Sequence, residues 1–345
     1  MNPPAMAPFP PCPLERHTML YPLTFQPIFK ERIWGGRNLA SLYAKPLPPG
    51  RPIGESWEIS DRPGDESVIA RGPLQGKSLH WLMEQRPGEL LGPRQKMPPR
   101  FPLLIKIIDA QETLSLQVHP PAAMAAALGG EPKTEMWYVA QAGPGAEFFA
   151  GLKKGVNRAE FESKLARQTV AECFHRILVK PGDAMFLPSG RVHALGARMV
   201  IFEIQQNSDT TYRVFDWNRL DEHGKGRQLH VEQSLASIDF ADIEPPLLPH
   251  QTAPAHPGTI RPLVKNELFE VNLRQMAGSD VLELATGRME IIGVTKGALR
   301  IESGGDTIPL SAGQFCLIPA QCPASTARAA DPVSFLQIHA GTLEN

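Results

Sequence analysis

A chain of 345 residues is larger than one hydrophobic core comfortably organises, so two domains or one large β domain are expected. Its 42% hydrophobic and 21% charged residues exclude a disordered or fibrous chain. The 35 basic and 36 acidic side chains leave a net charge of −1, which argues against binding driven by a nucleic-acid backbone or an anionic membrane. No apolar run reaches the roughly 18–20 residues that span a bilayer, and no secretory signal pattern opens the sequence. Cys12, Cys173, Cys316 and Cys322 show no CxxC spacing, so a reducing, cytoplasmic setting is expected.

The 35 prolines are about twice the usual share of roughly 5%, and they punctuate the chain. Residues 1–18 open on MNPPAMAPFPPCP and read as a flexible, polyproline-biased tail. A helix is expected near 78–86. Phe101–Ile108 then reads as a strand, apolar throughout except for Lys106. An ammonium there either snorkels to solvent or faces a polar cavity. Leu114–His119 alternates strictly, with Leu114, Leu116 and Val118 on one face and Ser115, Gln117 and His119 on the other. Pro120–Pro121 ends that strand, and a helix is expected near 122–128. Lys133–Val139 reads as a further strand with Lys133 and Glu135 on one face. Asn157–Gln168 reads as a helix capped by Asn157, with Glu160 three residues on and Phe161 and Leu165 on its apolar face. Gly182–Pro188 predicts a turn and a strand, with His193 beyond it. Thr210–Trp217 predicts a strand carrying Arg213, whose guanidinium suits a carboxylate, a phosphate or an enediolate oxygen, or else a structural ion pair with Asp209 or Asp216. A helix is expected near 229–239, and the proline-rich stretch 244–262 reads as a linker. The fold class that results is mainly β with a few helices.

Two histidines, a glutamate and the amide of Gln117 are ligand types that Zn²⁺ accepts at an open site. Any one histidine alone reads better as a turn cap or a surface group; the set on alternating strands does not. The sequence also echoes itself: Gly182–Pro188 (GDAMFLP) resembles Gly313–Pro319 (GQFCLIP). His193 lies five residues past Pro188, whereas Ala324 lies five past Pro319. Two related β units are expected, the second without the histidine.

LSLQVHPP, KTEMWYV, PSGRVHALG and QQNSDTTYRVFDWNR, in this order and spacing, resemble the type I mannose-6-phosphate isomerases, most closely the short, Bacillus-like bacterial form. YPLTFQPIFKERIWGGRNL, IGESWEIS and PLLIKIIDA support the resemblance, which is strong over about residues 20–240 and does not reach the tail. It implies a cupin-type jelly-roll barrel with helical segments over residues 19–243 that holds zinc. Beyond the 244–262 linker it implies a second, metal-free, degenerate cupin-like β domain over 263–345. One zinc ion per chain would rest on Gln117, His119, Glu135 and His193. Arg213 matches the family's catalytic arginine, and Lys106, Ser115 and Lys133 match residues lining the sugar-phosphate pocket. Lys133 is a candidate proton carrier if burial and zinc depress its pKa. Glu55 and Trp57 of GESWE receive no role. The implied reaction interconverts D-mannose 6-phosphate and D-fructose 6-phosphate through a cis-enediol, feeding mannose metabolism, with a small sugar phosphate as partner and no nucleic acid or membrane. The sequence leaves the oligomeric state open. Two rivals stand beside this reading. Another cupin metalloenzyme, an iron dioxygenase or a different sugar isomerase, would need the same cluster without the phosphate-seeking cations. A non-catalytic sugar-phosphate-binding protein would need a lost ligand or arginine, and none is lost.

Overall fold

Continuous apolar runs and alternating runs fall in different layers of this structure. The computed structural model describes residues 19–93, 96–220 and 224–341; the proline-rich tail lies outside them. Four sheets hold most of the strands. Sheet I runs, in order across the sheet, Ile28–Gly36, Ile53–Ile59, Leu103–Ala110, Met199–Gln206, Glu135–Ala142 and Ala184–Leu187. Sheet II runs Tyr212–Phe215, Leu116–Val118, His193–Leu195, Glu147–Leu152 and Phe174–Leu178. Sheet III repeats the pattern of sheet I with Ala253–Pro254, Thr259–Lys265, Phe269–Met276, Val333–Ala340, Glu290–Lys296 and Phe315–Ile318. Sheet IV runs Val281–Glu283, Ser325–Ala329, Ala298–Ser303 and Asp306–Ser311.

Shared cores stack these sheets. Ile108, Trp137 and Ile201 of sheet I pack with Phe148, Ala150 and Leu195 of sheet II. The opposite face of sheet I, including Ile105, Tyr138 and Phe202, packs against Val271, Ile291, Leu317 and Ile338 of sheet III. Sheets III and IV share Val294, Phe335, Ile301 and Ala327. The result is two sandwiches set back to back, sheets II and IV being outermost. This explains the sequence pattern. Leu103–Ala110 is buried at every position because both faces of its sheet are covered. Ala298–Ser303 and Asp306–Ser311 alternate because one face of sheet IV meets water.

The outer face of sheet II is covered instead by helical chain. Phe161, Val170, Cys173 and Ile238 pack onto Leu116, Val118 and Tyr212. Helix Arg158–Ala166 forms where expected, with the Asn157 side chain accepting from Glu160 N at 2.9 Å. The helix expected near 78–86 is Leu79–Gln85, capped by Ser78, and that near 229–239 is Val231–Ser237. The helix near 122–128 is shorter, Ala122–Ala125. Two short helices, Asn38–Tyr43 and Pro87–Leu91, add to these.

The strict alternation expected over Leu114–His119 holds only for Leu116–Val118, which form the strand. Leu116 and Val118 enter the outer core, but Leu114 turns inward and packs beside Trp137. It lies outside the strand, where the two-residue period no longer applies. Within the stretch 244–262 the chain already pairs, as Ala253–Pro254 and the start of Thr259–Lys265. Pro262 is tolerated there because the register shifts between Pro262 and Val264. Among the described residues no helix is long and apolar enough to cross a membrane. Cys173, Cys316 and Cys322 are free thiols.

Candidate active site

Between sheets I and II lies a cavity of about 400 Å³, a size suited to a small ligand. The pleat explains its polarity. Lys106 and Glu203 face each other across neighbouring strands of sheet I, and on sheet II Gln117 pairs with His193 on one side and Arg213 on the other. Lys106, Ser115, Gln117, Lys133 and Arg213 all line the cavity. His119, Glu135 and His193 join them through direct contacts: Lys133 Nζ lies 2.8 Å from Glu135 Oε2, and the Gln117 amide 3.3 Å from His193 Nε2. The structure therefore brings Lys106, Ser115, Gln117, His119, Lys133, Glu135, His193 and Arg213 together at one cavity.

His119, Glu135 and His193 are buried, and their ligand atoms lie within 4.8 Å of one another. His119 Nε2 is 3.5 Å from Glu135 Oε2 and His193 Nε2 is 3.3 Å from Glu135 Oε1. His119 Nδ1 meets the carbonyl oxygen of Thr210 at 2.8 Å, and His193 Nδ1 meets that of Arg191 at 2.9 Å. A carbonyl only accepts, so each Nδ1 carries the proton and each Nε2 turns a lone pair inward. His119 Nε2 and Glu135 Oε1 are buried without a hydrogen-bond partner, and Glu135 Oε2 has only the Lys133 ammonium against it. Such groups are costly unless something else satisfies them. Two neutral imidazoles held by backbone carbonyls, one carboxylate and an adjacent amide fit a zinc ion in both donor type and outer support.

The electrostatics agree. Burial, reinforced by the Lys133 cation, lowers the His119 pKa to about 3, and burial likewise lowers that of His193. Both rings are thus neutral, as ligation requires. Burial alone would raise Glu135, but Lys133 and the two histidines outweigh it and hold the carboxyl well below its ordinary range. Lys133 departs from expectation. Burial favours its neutral amine, yet Glu135 and Glu203 reverse that effect and hold it above the usual lysine value. In this arrangement it is an ammonium.

Lys106 does not snorkel: it is 4% exposed, with Nζ 3.2 Å from Glu203 Oε2 and 3.8 Å from Glu55 Oε2. Arg213 makes no ion pair with Asp209 or Asp216 among the described residues. Asp216 is taken instead by Arg219 and Arg227. Arg32, Glu203 and Arg227 also line the cavity with no signal read from the sequence, as do Glu55, which receives no role there, and Asp209, which enters there only as an ion-pair partner of Arg213. Glu203 had the same signal as Lys106, a single charge in an apolar strand. Glu55 accepts from Trp57 Nε1 and Arg32 Nε, each at 2.7 Å; despite burial, Lys106 and Arg32 bring its pKa down to about 2. Close packing shapes that wall: a Cβ on Gly54 would lie 2.5 Å from the Trp34 ring, so the first residue of GESWE must be glycine.

Comparison with known proteins points the same way. Residues 23–147 match the family described as phosphomannose isomerase type I, catalytic domain. The mannose-6-phosphate isomerase ManA of Bacillus subtilis is 36% identical over 305 residues, spanning 86% of this chain and 93% of that protein. The mannose-6-phosphate isomerase of Streptococcus mutans is also 36% identical over 305 residues, spanning 87% and 93%. The crystal structure of a mannose 6-phosphate isomerase from Bacillus subtilis superposes with a TM-score of 0.84 at 32% identity, covering 93% of this chain and all of the other. A mannose 6-phosphate isomerase crystallised with zinc and yttrium shares the fold at a TM-score of 0.70 and 15% identity, covering 93% of this chain and 100% of that one. Motif order, fold and identity along most of the chain converge, and the chain belongs to the type I phosphomannose isomerase family.

Proposed function

We propose that this protein is a zinc-dependent mannose-6-phosphate isomerase, with its chemistry in the first sandwich. The observation that carries the reading is the buried His119–Glu135–His193 cluster, whose ligand atoms converge within 4.8 Å with His119 Nε2 and Glu135 Oε1 lacking hydrogen bonds, opening on a cavity lined by lysines and arginines. These three residues, with the Gln117 amide as fourth ligand, would hold one zinc ion per chain. Bound there, zinc supplies a Lewis acid beside the sugar's carbonyl and hydroxyl oxygens.

The reaction moves a proton from C2 to C1, and a hydroxyl proton from O2 to O1, through a cis-enediol; no net oxidation occurs. Negative charge develops on oxygen, so a cation placed there stabilises the transition state more than the substrate. Arg213 has a buried Nε without a hydrogen-bond partner and is the group for that oxyanion. Lys133, held as an ammonium, is placed to donate a proton and to move it within the site. Lys106 and Ser115 bind sugar hydroxyls; the two carboxylates beside Lys106 make it a poor seat for a dianion. The lysine-rich lining favours this reading over an iron dioxygenase, and the intact ligand set favours it over a non-catalytic binder.

Isomerisation of fructose 6-phosphate, followed before chelation, after EDTA and after zinc is restored, tests the reading. Activity is expected to disappear with the metal and return with it. A zinc-loaded protein without isomerase activity would overturn the substrate assignment.

A further inference from the structure

The cations of the cavity are not equivalent. Near the metal cluster each has a carboxylate: Lys133 has Glu135 at 2.8 Å, Lys106 has Glu203 at 3.2 Å, and Arg32 has Glu55 at 2.7 Å. Around Arg213 the balance tips. Arg213, Arg219 and Arg227 gather there with Asp216 between them, and burial together with the Arg227 cation lowers the Arg213 pKa. Arg213 Nη1 donates to the carbonyl oxygen of Gln228 at 2.7 Å, and no described carboxylate pairs with it.

Asp216 organises the group. It is 5% exposed and accepts a two-pronged bond from Arg227, Nε to Oδ2 at 2.7 Å and Nη2 to Oδ1 at 2.5 Å. Arg219 reaches the same Oδ1 at 2.5 Å and anchors its other end on the carbonyl oxygen of Thr113 at 2.7 Å. The intervening Trp217 and Asn218 both have left-handed backbones, φ 57° and 55°, which is unfavourable for a bulky residue. Trp217 is fixed there by Nε1 bonding to the Leu114 carbonyl at 2.7 Å and by the Phe149 ring at 5.3 Å. The turn is thus held so that Arg227 lines the cavity with one guanidinium edge committed to Asp216.

We propose that Arg227 binds the substrate's phosphate, leaving Arg213 for the sugar's oxyanion, and that Asp216 is the positioning residue that aims it. A guanidinium fixed along one edge presents its remaining donors in a preset plane, a geometry suited to phosphate. A phosphate placed at Lys106 would instead meet Glu203 and Glu55. The inference rests on the isomerase reading above, and its test separates the two.

In the zinc-loaded, full-length protein, Arg227→Gln should raise KM for mannose 6-phosphate about 10- to 100-fold, the scale of one lost charge-assisted bond, with kcat within about threefold. The inhibition constant of inorganic phosphate should rise in step, and the preference for mannose 6-phosphate over unphosphorylated mannose should fall. Arg227→Lys, keeping charge but not the planar fork, should lose less; Asp216→Asn should raise KM through Arg227, and adding it to Arg227→Gln should cost little more. Unchanged KM and phosphate inhibition in Arg227→Gln would overturn the proposal, as would a loss confined to kcat. If the wild type isomerises nothing, the function reading fails by itself. Calorimetric titration with inorganic phosphate then judges Arg227: binding lost in Arg227→Gln supports the anion site, and equal binding in both proteins overturns it.

Discussion

The two sandwiches place a glutamate at the same register and treat it in opposite ways. In sheet I Glu135 faces Leu187, the sixth residue of GDAMFLP; in sheet III Glu290 faces Ile318, the sixth residue of GQFCLIP. The neighbours correspond as well. Lys106 faces Glu203 in the first sandwich, and Asn272 faces Gln337 in the second. Thus an ion pair is replaced by two amides, and in sequence Ala324 stands five residues past Pro319 where His193 stands five past Pro188. Glu135 has no hydrogen bond at Oε1 and only the Lys133 ammonium, at 2.8 Å, on Oε2. Glu290 accepts from Gln337 Nε2 at 2.6 Å and from the Ala285 N–H at 3.3 Å. With cations around it Glu135 is strongly acidic, whereas burial raises the Glu290 pKa and its neighbours compensate only in part. One fold therefore carries a charged carboxylate set among cations and facing two imidazoles in one half, and a carboxyl bonded to neutral neighbours in the other. Function lies in a handful of side chains, not in the architecture.

The sharpest way to break that comparison is to make the same substitution in both halves. Glu135→Gln should remove the metal from the purified protein and lower isomerase activity by on the order of 10³-fold or more, since several kcal/mol of charge stabilisation depend on it. Glu290→Gln should leave metal content unchanged and activity within about twofold. Metal analysis beside steady-state rates reads both; equal losses in the two variants would mean that the second sandwich takes part in the site. Arg213→Ala comes next. It should retain zinc and lose about 10²- to 10³-fold in kcat, the cost of deleting one oxyanion donor, and near-normal turnover would remove the arginine from the chemistry.

Much of this site was legible because its chemistry interrupts a hydrophobic pattern. Lys106 stands out in a run that is otherwise apolar, and the Ser115–Gln117–His119 face stands out against Leu116 and Val118. What stayed hidden depends on groups that only the fold brings together. The ammonium state of Lys133 follows from Glu135 and Glu203, and the latter is 70 positions away along the chain. Arg227 comes from a short polar stretch with no periodicity, and nothing local shows that Asp216 holds it. The back-to-back packing of sheets I and III was equally invisible, since a strand buried on both faces reads simply as apolar and does not say what covers it. The prolines of 244–262 suggested a linker throughout, although Pro262 lies in a strand at a register shift.

That packing offers a smaller test, of whether the halves unfold together. Phe202 is fully buried and its ring lies 5.9 Å from Tyr43 and 6.4 Å from Tyr138 in the first half, and 5.7 Å from Phe315 in the second. Phe202→Ala should cost about 3–5 kcal/mol, read from urea unfolding. If the interface couples the sandwiches, the transition should split or its slope should fall, because one half can then open without the other. A single transition with an unchanged slope would mean the halves remain locked by the rest of the interface.

The smallest expected effect concerns the outer sheets, where the halves also differ. Sheet II is roofed by helix Arg158–Ala166, through Phe161 packed on Phe174 and Phe240 at ring distances of 6.1 and 5.6 Å; sheet IV presents its charged face to water. The roof lies on the far side of sheet II from the cavity, so it should contribute to stability without touching catalysis. Asn157→Ala removes the side-chain acceptor for Glu160 N and should cost about 1 kcal/mol, while Phe161 keeps the helix docked. KM and kcat should stay within about twofold. A drop in turnover larger than the loss of folded protein explains would show that the roof sets the geometry of the Leu116–Val118 strand, and through Gln117 the metal site beneath it.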